Sequence, residues 1–277
     1  MAVEKIFLEK GIDTSLLNIA YCPERVLPGN VMNELISNDR VVGGLNAKST
    51  RIVADFYRQF VEGNIFETDA KTAELCKLTE NSFRDVNLAF ANELSLICDK
   101  EKIDVWNLIK LANQHPRVDI LAPGTGVGGH CIAVDPWFII YGNQKNSELL
   151  QKSREINDSK PHWVAKKIMS LVKDKKTEDK ENMTIACLGL AYKPNIDDLR
   201  SSPAVSVIEK LENSGCNVVA VEPNIAYHES IKLVSLQEAI SQSDVVAVLV
   251  GHKEFCVEDI NSKLRSIGAL DFCGVLC

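Results

Sequence analysis

The segment whose residues are best suited to catalysis or ligand binding is a glycine-rich loop that ends in a cysteine. Its sequence, Gly124-Thr125-Gly126-Val127-Gly128-Gly129-His130-Cys131, contains a GxGxxG spacing. A dinucleotide-binding fingerprint should follow a strand and open a helix, whereas here Ala122-Pro123 precedes the loop and Asp135-Pro136 follows it. We therefore predict that the bare backbone lets a ligand approach closely. Cys131 would lie at the edge of that cavity as a nucleophile, although composition alone is equally consistent with a buried structural cysteine.

Three polar residues share one face of a predicted helix. Lys77, Asn81 and Arg84 stand at i, i+4 and i+7, which at about 100° per residue puts them on one narrow stripe. The functional interpretation is a wall of cationic and amide groups that faces an anionic ligand. The alternative, a stripe exposed to solvent, is the simpler one without other information.

A polar loop follows a predicted strand in the C-terminal part of the chain. It runs over residues 192–203 and ends in Ser202-Pro203, a good N-cap and first-turn pair for the next helix. Such loops bind ligands in α/β sheets, so Lys193 and Arg200 could meet phosphate or carboxylate, although each is equally well a solvated charge. No glycine fingerprint lies here, so the segment is not an obvious NAD site, and Glu222 at the end of the next strand is weak evidence without one.

Helices and strands must position these groups. We predict a short helix and a strand from Leu16 to Tyr21 near the N-terminus, then a mainly helical region from about 46 to 114. Helical spacing returns over 147–173, with Pro161 as a candidate interruption, and the charged stretch 173–182 is the clearest linker. Beyond it, apolar strands alternate with helices, which predicts a Rossmann-like parallel sheet covered on both faces. The fold class is therefore α/β, with a helical central domain before that sheet.

Composition narrows the function classes. The net charge of −7 without a long basic block argues against a nucleic-acid partner. Nine cysteines without a CxxC pair, together with no metal-ligand spacing, predict reduced thiols, a cytoplasmic location and no metal site. No apolar run is long enough for a signal peptide or a membrane span, so no membrane partner is expected.

Four blocks in order resemble the UDP-glucose/GDP-mannose dehydrogenase family. They are CPERVLPG at 22–29, KLTENSFRDVNLAFANE at 77–93, PGTGVGGHCIAVDPW at 123–137 and GLAYKPNIDDLRSSP at 189–203. The resemblance implies a homodimer with NAD as cofactor and a UDP-sugar as substrate. It also implies residues 46–172 as the helical dimerisation domain with the cysteine loop, and 183–277 as the UDP-sugar-binding domain. Residues 1–45 are expected to be a remnant of an NAD-binding domain that is otherwise largely missing.

The family's chemistry assigns roles to residues by resemblance. The C6 alcohol of the sugar is oxidised to a carboxylate through a thioester on Cys131. Lys77 and Asn81 would stabilise the developing oxyanion, while Asp135 and Glu24 would assist the cysteine and the hydrolytic step. Arg200 would reach toward the cofactor. The candidates for gripping the substrate are Arg25, Val26, Arg84, His115, Arg117, Gly128, Tyr192 and Lys193.

Overall fold

Two units make up the chain, Met1–Glu80 and Asn81–Cys277. The computed structural model describes residues 2–13, 17–26, 30–174 and 183–276. Most of the predicted linker, 175–182, and Leu16 of the predicted N-terminal strand lie outside these residues. The division between the units falls inside one long helix, α4, Ala70–Glu101.

The first unit contains a small mixed sheet. Helices α1 (Ala2–Glu9) and α2 (Val31–Ser37) accompany strands β1 (Ala20–Tyr21), β2 (Arg40–Gly44) and β3 (Ile65–Asp69). Strand β2 pairs antiparallel with β1 and parallel with β3. Helix α3, Ala47–Tyr57, connects the parallel pair and begins at Asn46, whose side chain accepts a hydrogen bond from the Ser49 amide at 2.8 Å.

The helical region expected from about 46 to 114 is confirmed at α3 but is interrupted by a strand before α4. Residues 65–69 form β3 rather than helix, because they pair with β2 in register from Arg40 to Gly44. Long-range strand pairing overrides the local absence of proline and glycine that favoured helix there. From Ala70 the prediction holds, since α4 runs without a break to Glu101 and α5 follows at Val105–Ala112.

The second unit joins helices to a parallel sheet. After the glycine loop come α6 (Asp135–Gly142), a 3-10 turn (Gln144–Asn146) and α7 (Glu148–Asp174), which continues through Pro161 without interruption. The sheet then alternates β4 (Thr184–Leu188), α8 (Pro203–Asn213), β5 (Asn217–Val221), α9 (Leu236–Gln242), β6 (Val245–Val248), the 3-10 turn Lys253–Phe255, α10 (Glu258–Ser266) and β7 (Leu270–Asp271). The sequence pattern does not predict α6, because Asp135-Pro136 comes soon after the glycine-rich loop.

The C-terminal sheet confirms the predicted fold class. Its strand order is β5-β4-β6-β7, and every pair is parallel. Apolar side chains of α7 and α8 cover one face, around Ile168 and Ile208, while α9 and α10 cover the other, around Ala239 and Leu264. Both faces are dry, which explains why these strands are continuous apolar runs. Ser202 caps α8, because its hydroxyl accepts hydrogen bonds from the next helical amides.

Candidate active site

A cleft of about 400 Å³ opens at the carboxyl ends of β4 and β6. In the sheet, β5 lies on one side of β4 and β6 lies on the other, so the strand order reverses between β4 and β6. Parallel sheets bind ligands at such a switch point. The cleft lies wholly within the second unit. It is lined by Arg84 and Leu88 of α4, Ala122–Gly128 and Ile132, Tyr192–Pro194, Leu249–Gly251, Cys256 and Cys273–Val275.

The glycine-rich loop lines the cleft and also packs against residues 192–203. A Cβ on Gly128 would stand 2.5 Å from the Ser201 carbonyl oxygen, and one on Gly129 would stand 2.7 Å from the Tyr192 ring. Gly129 also adopts a φ of +83°, which favours glycine. The expectation that bare backbone makes room for a ligand is therefore wrong at these two positions, where the room is taken by residues 192–203. Gly124, by contrast, faces open space.

We expect Gly129→Ala to distort the wall of the cleft. The added methyl group must displace the Tyr192 ring and holds a strained φ, so the variant should lose about 1–3 kcal/mol of stability and bind cleft ligands more weakly. Gly142→Ala is the matched control, since a Cβ there meets nothing within 4 Å. Chemical denaturation of both variants measures the difference, and equal midpoints would contradict this account of the loop.

Cys131, Asn81 and Asp135 form one hydrogen-bonded group. The Asp135 amide donates to the Cys131 carbonyl at 2.8 Å, while the Asp135 carboxylate accepts from Asn81 Nδ2 at 2.5 Å. Asn81 is buried and Cys131 is half-buried, so the thiol is not sealed in the core. The solvated-stripe interpretation therefore fails for Asn81, and Arg84 one turn later lines the cleft. Lys77 is half-buried one turn before Asn81 on α4.

A buried amide relay holds the glycine loop from behind. Asn92 Oδ1 accepts from the Gly124 amide at 3.0 Å, and Asn92 Nδ2 donates to Asn157 Oδ1 at 2.9 Å. Asn157 in turn donates to Asp85, which is fully buried and forms an ion pair with Arg154 at 2.6 Å. Sequence reasoning missed these residues, because polar residues on α4 and α7 carry no local sign that they meet.

Arg200 is held by a neighbouring carboxylate. Its guanidinium donates to both oxygens of Asp198, and this pairing lowers the pKa of the Asp198 carboxyl to about 2. The same hydrogen bonds raise the pKa of Arg200, with a smaller contribution from the nearby Tyr192 and Cys131. The Arg200 carbonyl also accepts from the Gly129 amide at 3.2 Å, so this loop and the cysteine loop contact one another.

Other predicted site residues lie elsewhere. In the first unit, Glu24 accepts hydrogen bonds from the backbone amides of Arg25 and Val26, and the Arg25 guanidinium binds Glu80 and the Cys76 sulfur. His115 and Arg117 are exposed after α5 and do not line the cleft within the described part of this chain. Their predicted roles stay predictions.

At two places where a dinucleotide could bind, the protein's own groups occupy the polar positions. The N-terminus of α3 is capped by Asn46, and the preceding Gly43 and Gly44 pack against Asp69 and Thr50 rather than facing open space. In the C-terminal sheet, Glu222 at the end of β5 accepts from the amides of residues 190 and 191 and is not available for a ribose. Within residues 2–13, 17–26, 30–174 and 183–276, no group of three His, Cys, Asp or Glu could hold a metal ion.

Comparison with known proteins identifies the class to which this fold and cleft belong. Residues 71–159 match the central domain of the UDP-glucose/GDP-mannose dehydrogenase family, 186–276 match its UDP-binding domain and 2–61 match its NAD-binding domain. The chain belongs to this family. The match over 2–61 corrects the prediction that the NAD-binding domain is largely missing.

Within the family, the chain is similar to several named nucleotide-sugar dehydrogenases. The chain is 54% identical to the UDP-N-acetyl-D-mannosamine dehydrogenase of Campylobacter jejuni, over 88% of the chain and 60% of the relative. The same enzyme of Escherichia coli K12 is also 54% identical, over 87% and 60%. An NDP-N-acetyl-D-galactosaminuronic acid dehydrogenase of Ralstonia nicotianae is 47% identical, over 95% and 62%. The chain thus spans about three fifths of the length of these relatives.

Solved structures agree with the fold. The UDP-D-ManNAc dehydrogenase of Pyrococcus horikoshii superposes with a TM-score of 0.83 at 36% identity, over 93% of this chain and 61% of that one. The UDP-N-acetyl-mannosamine dehydrogenase of Staphylococcus aureus gives 0.78 at 39% identity, over 91% and 59%. Among the described residues, no helix is long and apolar enough to cross a membrane.

Proposed function

We propose that this chain is the nucleophile-bearing and UDP-sugar-binding part of an NAD-dependent UDP-sugar 6-dehydrogenase. The observation that carries the proposal is the cleft at the switch point of the C-terminal sheet, with Cys131 on the loop that lines it. A half-buried thiol beside a ligand-sized cleft suits covalent catalysis better than structural packing. The family matches over all three regions support the same reaction class.

Cys131 is the covalent nucleophile in this proposal. NAD⁺ supplies the hydride-accepting chemistry that converts the C6 alcohol to the acid. The Cys131 sulfur adds to the C6 aldehyde to form a thiohemiacetal, which on oxidation becomes a thioester, and water then releases the carboxylate and the thiol. Asn81 and Lys77 stabilise the oxyanion, and Asp135 orients Asn81 through the hydrogen bond at 2.5 Å.

Cations and backbone amides of the cleft bind the UDP moiety. Lys193 is exposed on the loop after β4, and Arg84 is exposed on α4, so both present charge to the cleft without a carboxylate ion pair among the described residues. A diphosphate carries the opposite charge and gains charge-assisted hydrogen bonds there. Tyr192, half-buried between the two loops, forms part of the wall. Gly128 lines the same cleft, while the roles that the resemblance implies for Arg25, Val26, His115, Arg117 and Arg200 stay predictions.

UDP-N-acetyl-D-mannosamine is the proposed substrate. The segments AYCPERVLPGN and HPRVDI resemble the dehydrogenases of that sugar, and the relatives with 54% identity bear that name. UDP-N-acetylglucosamine is the alternative, because one stereocentre separates the two sugars. A catalytically inactive remnant that binds UDP-sugar and dimerises is a further alternative, favoured by the capped N-terminus of α3.

Two measurements on the same preparation test the proposal. Calorimetric titration with UDP-N-acetyl-D-mannosamine should give saturable binding that weakens about tenfold in Lys193→Ala, the loss of one charge-assisted contact. Absorbance of NADH after addition of NAD⁺ then separates an active enzyme from the inactive remnant. UDP-N-acetylglucosamine is the matched substrate control. No saturable binding of either sugar nucleotide would overturn the proposal.

We also infer that the chain forms a homodimer through α4. Phe83, Phe90 and Ile97 are spaced seven residues apart on this helix and are 68%, 49% and 51% exposed. An apolar stripe of this period on a long helix is typical of a helix–helix interface. Phe90→Glu should shift the chain toward monomer in analytical ultracentrifugation, whereas Leu149→Glu, at an equally exposed apolar site on α7, should not. A monomeric wild-type chain would contradict the inference.

A further inference from the structure

A buried carboxylate and a buried imidazole lie beneath the loop that carries Tyr192 and Lys193. Glu222 directly follows β5, and its Oε2 accepts hydrogen bonds from the amides of Leu190 at 2.7 Å and Ala191 at 3.0 Å. Its Oε1 accepts from the Asn224 amide at 3.0 Å. Because the side chain is fully buried, every one of these contacts replaces water.

His252 connects this carboxylate to the far end of the same loop. It follows β6 and is fully buried, with Nε2 at 3.0 Å from Glu222 Oε2. Its Nδ1 lies 2.9 Å from the backbone nitrogen of Asn195, whose N–H can only donate. Nδ1 must therefore accept, so Nε2 carries the proton and donates it to Glu222. The ring is neutral and its tautomer is set by both neighbours.

The loop is held at both ends while its middle faces the cleft. Residues 190–195, which we call the Tyr192 loop, are bound at Leu190 and Ala191 by Glu222 and at Asn195 by His252. Asn195 adopts a φ of +62°, and its side-chain oxygen accepts from the Lys253 amide at 2.9 Å. Tyr192, Lys193 and Pro194 lie between these anchors and line the cleft.

We propose that Glu222 and His252 are positioning residues for UDP-sugar binding, which fix the Tyr192 loop so that Tyr192 and Lys193 meet the ligand. This inference rests on the proposed function of the cleft. In a dinucleotide-binding domain, an acidic residue at the end of the second strand binds the ribose of the cofactor. Here Glu222 occupies the corresponding position but binds the Tyr192 loop of the protein. It therefore holds the loop that binds the ligand and does not bind the ligand itself.

The electrostatics of the pair are consistent with this role. Burial alone would raise the pKa of the Glu222 carboxyl, but the hydrogen bonds from His252 and the loop amides outweigh it and lower the pKa to about 2. Glu222 is therefore charged at neutral pH, and its hydrogen bonds to the loop are charge-assisted. Removal of either partner leaves a buried polar group unsatisfied and releases one end of the loop.

A double-mutant cycle distinguishes positioning from general stability. Binding of UDP, measured by calorimetry, should weaken about tenfold in His252→Ala and in Glu222→Gln, and less in His252→Gln, whose amide can both donate to Glu222 and accept from Asn195. In a Lys193→Ala background the effect of His252→Ala should largely disappear, because the loop no longer carries its cation. An undiminished effect in that background would overturn the proposal, since it would report a general loss of structure.

Amide hydrogen exchange gives a readout that does not depend on ligand. In His252→Ala, exchange at Asn195 should accelerate in the free protein, and in Glu222→Gln the same should occur at Leu190 and Ala191, while amides of β4 stay protected. Unchanged exchange at the loop would overturn the positioning role even in a protein that binds UDP. Absence of UDP binding by the wild-type chain would instead count against the proposed function, and loop exchange would still decide whether the pair holds the loop.

Discussion

Replacement of Cys131 by alanine is expected to abolish carboxylate formation while leaving the affinity for UDP-sugar within about twofold of wild type. The thiol contributes a covalent bond to the proposed intermediate, whereas in the proposed binding mode Lys193, Arg84 and the loop amides hold the nucleotide. Loss of a covalent nucleophile that acts as a unit with its neighbours typically costs several orders of magnitude in turnover. Affinity is measured by calorimetry and product by NADH absorbance, on the wild-type chain and on the variant prepared in the same way.

Cys256 supplies the matched control for that experiment. It is an exposed cysteine that lines the cleft, so Cys256→Ala removes a thiol from the cleft without changing the proposed nucleophile. We expect full turnover in Cys256→Ala. Alkylation by iodoacetamide should label Cys131, and UDP-sugar should protect it. Turnover that survives in Cys131→Ala would remove this cysteine from the mechanism.

The largest effect on stability is expected at the buried ion pair between Asp85 and Arg154. Both side chains are almost fully buried, and Asp85 also accepts from Asn157 at 2.8 Å. Burial raises the pKa of the Asp85 carboxyl more than the Arg154 charge and the hydrogen bonds lower it. The pair therefore stabilises the fold little against an apolar replacement, but loss of Arg154 leaves an uncompensated carboxylate in the core, and loss of Asp85 leaves the buried Arg154 paired only with the exposed Asp158.

The effects of the two single substitutions on the free energy of unfolding should consequently not add up in the double variant. Asp85→Ala or Arg154→Ala should each lower the free energy of unfolding by about 3–5 kcal/mol, while the double variant Asp85→Leu with Arg154→Met should cost less than either single change. Glu155→Ala, which breaks the exposed pair with Lys152, should lower the free energy of unfolding far less than either single core variant. Urea denaturation measures all four, and single variants no worse than Glu155→Ala would contradict the buried-charge argument.

The same ion pair has a consequence for the cleft. Asp85 binds Asn157, Asn157 binds Asn92, and Asn92 binds the amide of Gly124, so the core of the helical region extends to the glycine loop through polar contacts. Such a chain is satisfied only as a whole, because each amide needs both its donor and its acceptor partner. Substitutions at Asp85 should therefore be screened for loss of UDP binding as well as for stability.

Structural features that depend on neighbouring residues along the chain could be predicted from the sequence. Apolar runs alternating with helices predicted the parallel sheet, and the Ser202-Pro203 pair predicted the start of α8, since caps and strands follow from local backbone chemistry. The glycine spacing with Cys131 marked the loop that lines the cleft. Local pattern was wrong at residues 65–69, where pairing with β2 makes a strand, and at Pro161, where packing keeps α7 continuous.

Only the tertiary structure decided which polar groups meet. Asn92 and Gly124 are 32 positions apart and Glu222 and His252 are 30 apart, yet each pair forms a hydrogen bond. The steric reason for Gly129 is likewise the Tyr192 ring, which no local pattern reveals. A buried donor must find an acceptor somewhere, but which one it finds depends on how helices and strands pack, and that arrangement is a property of the whole fold rather than of any segment.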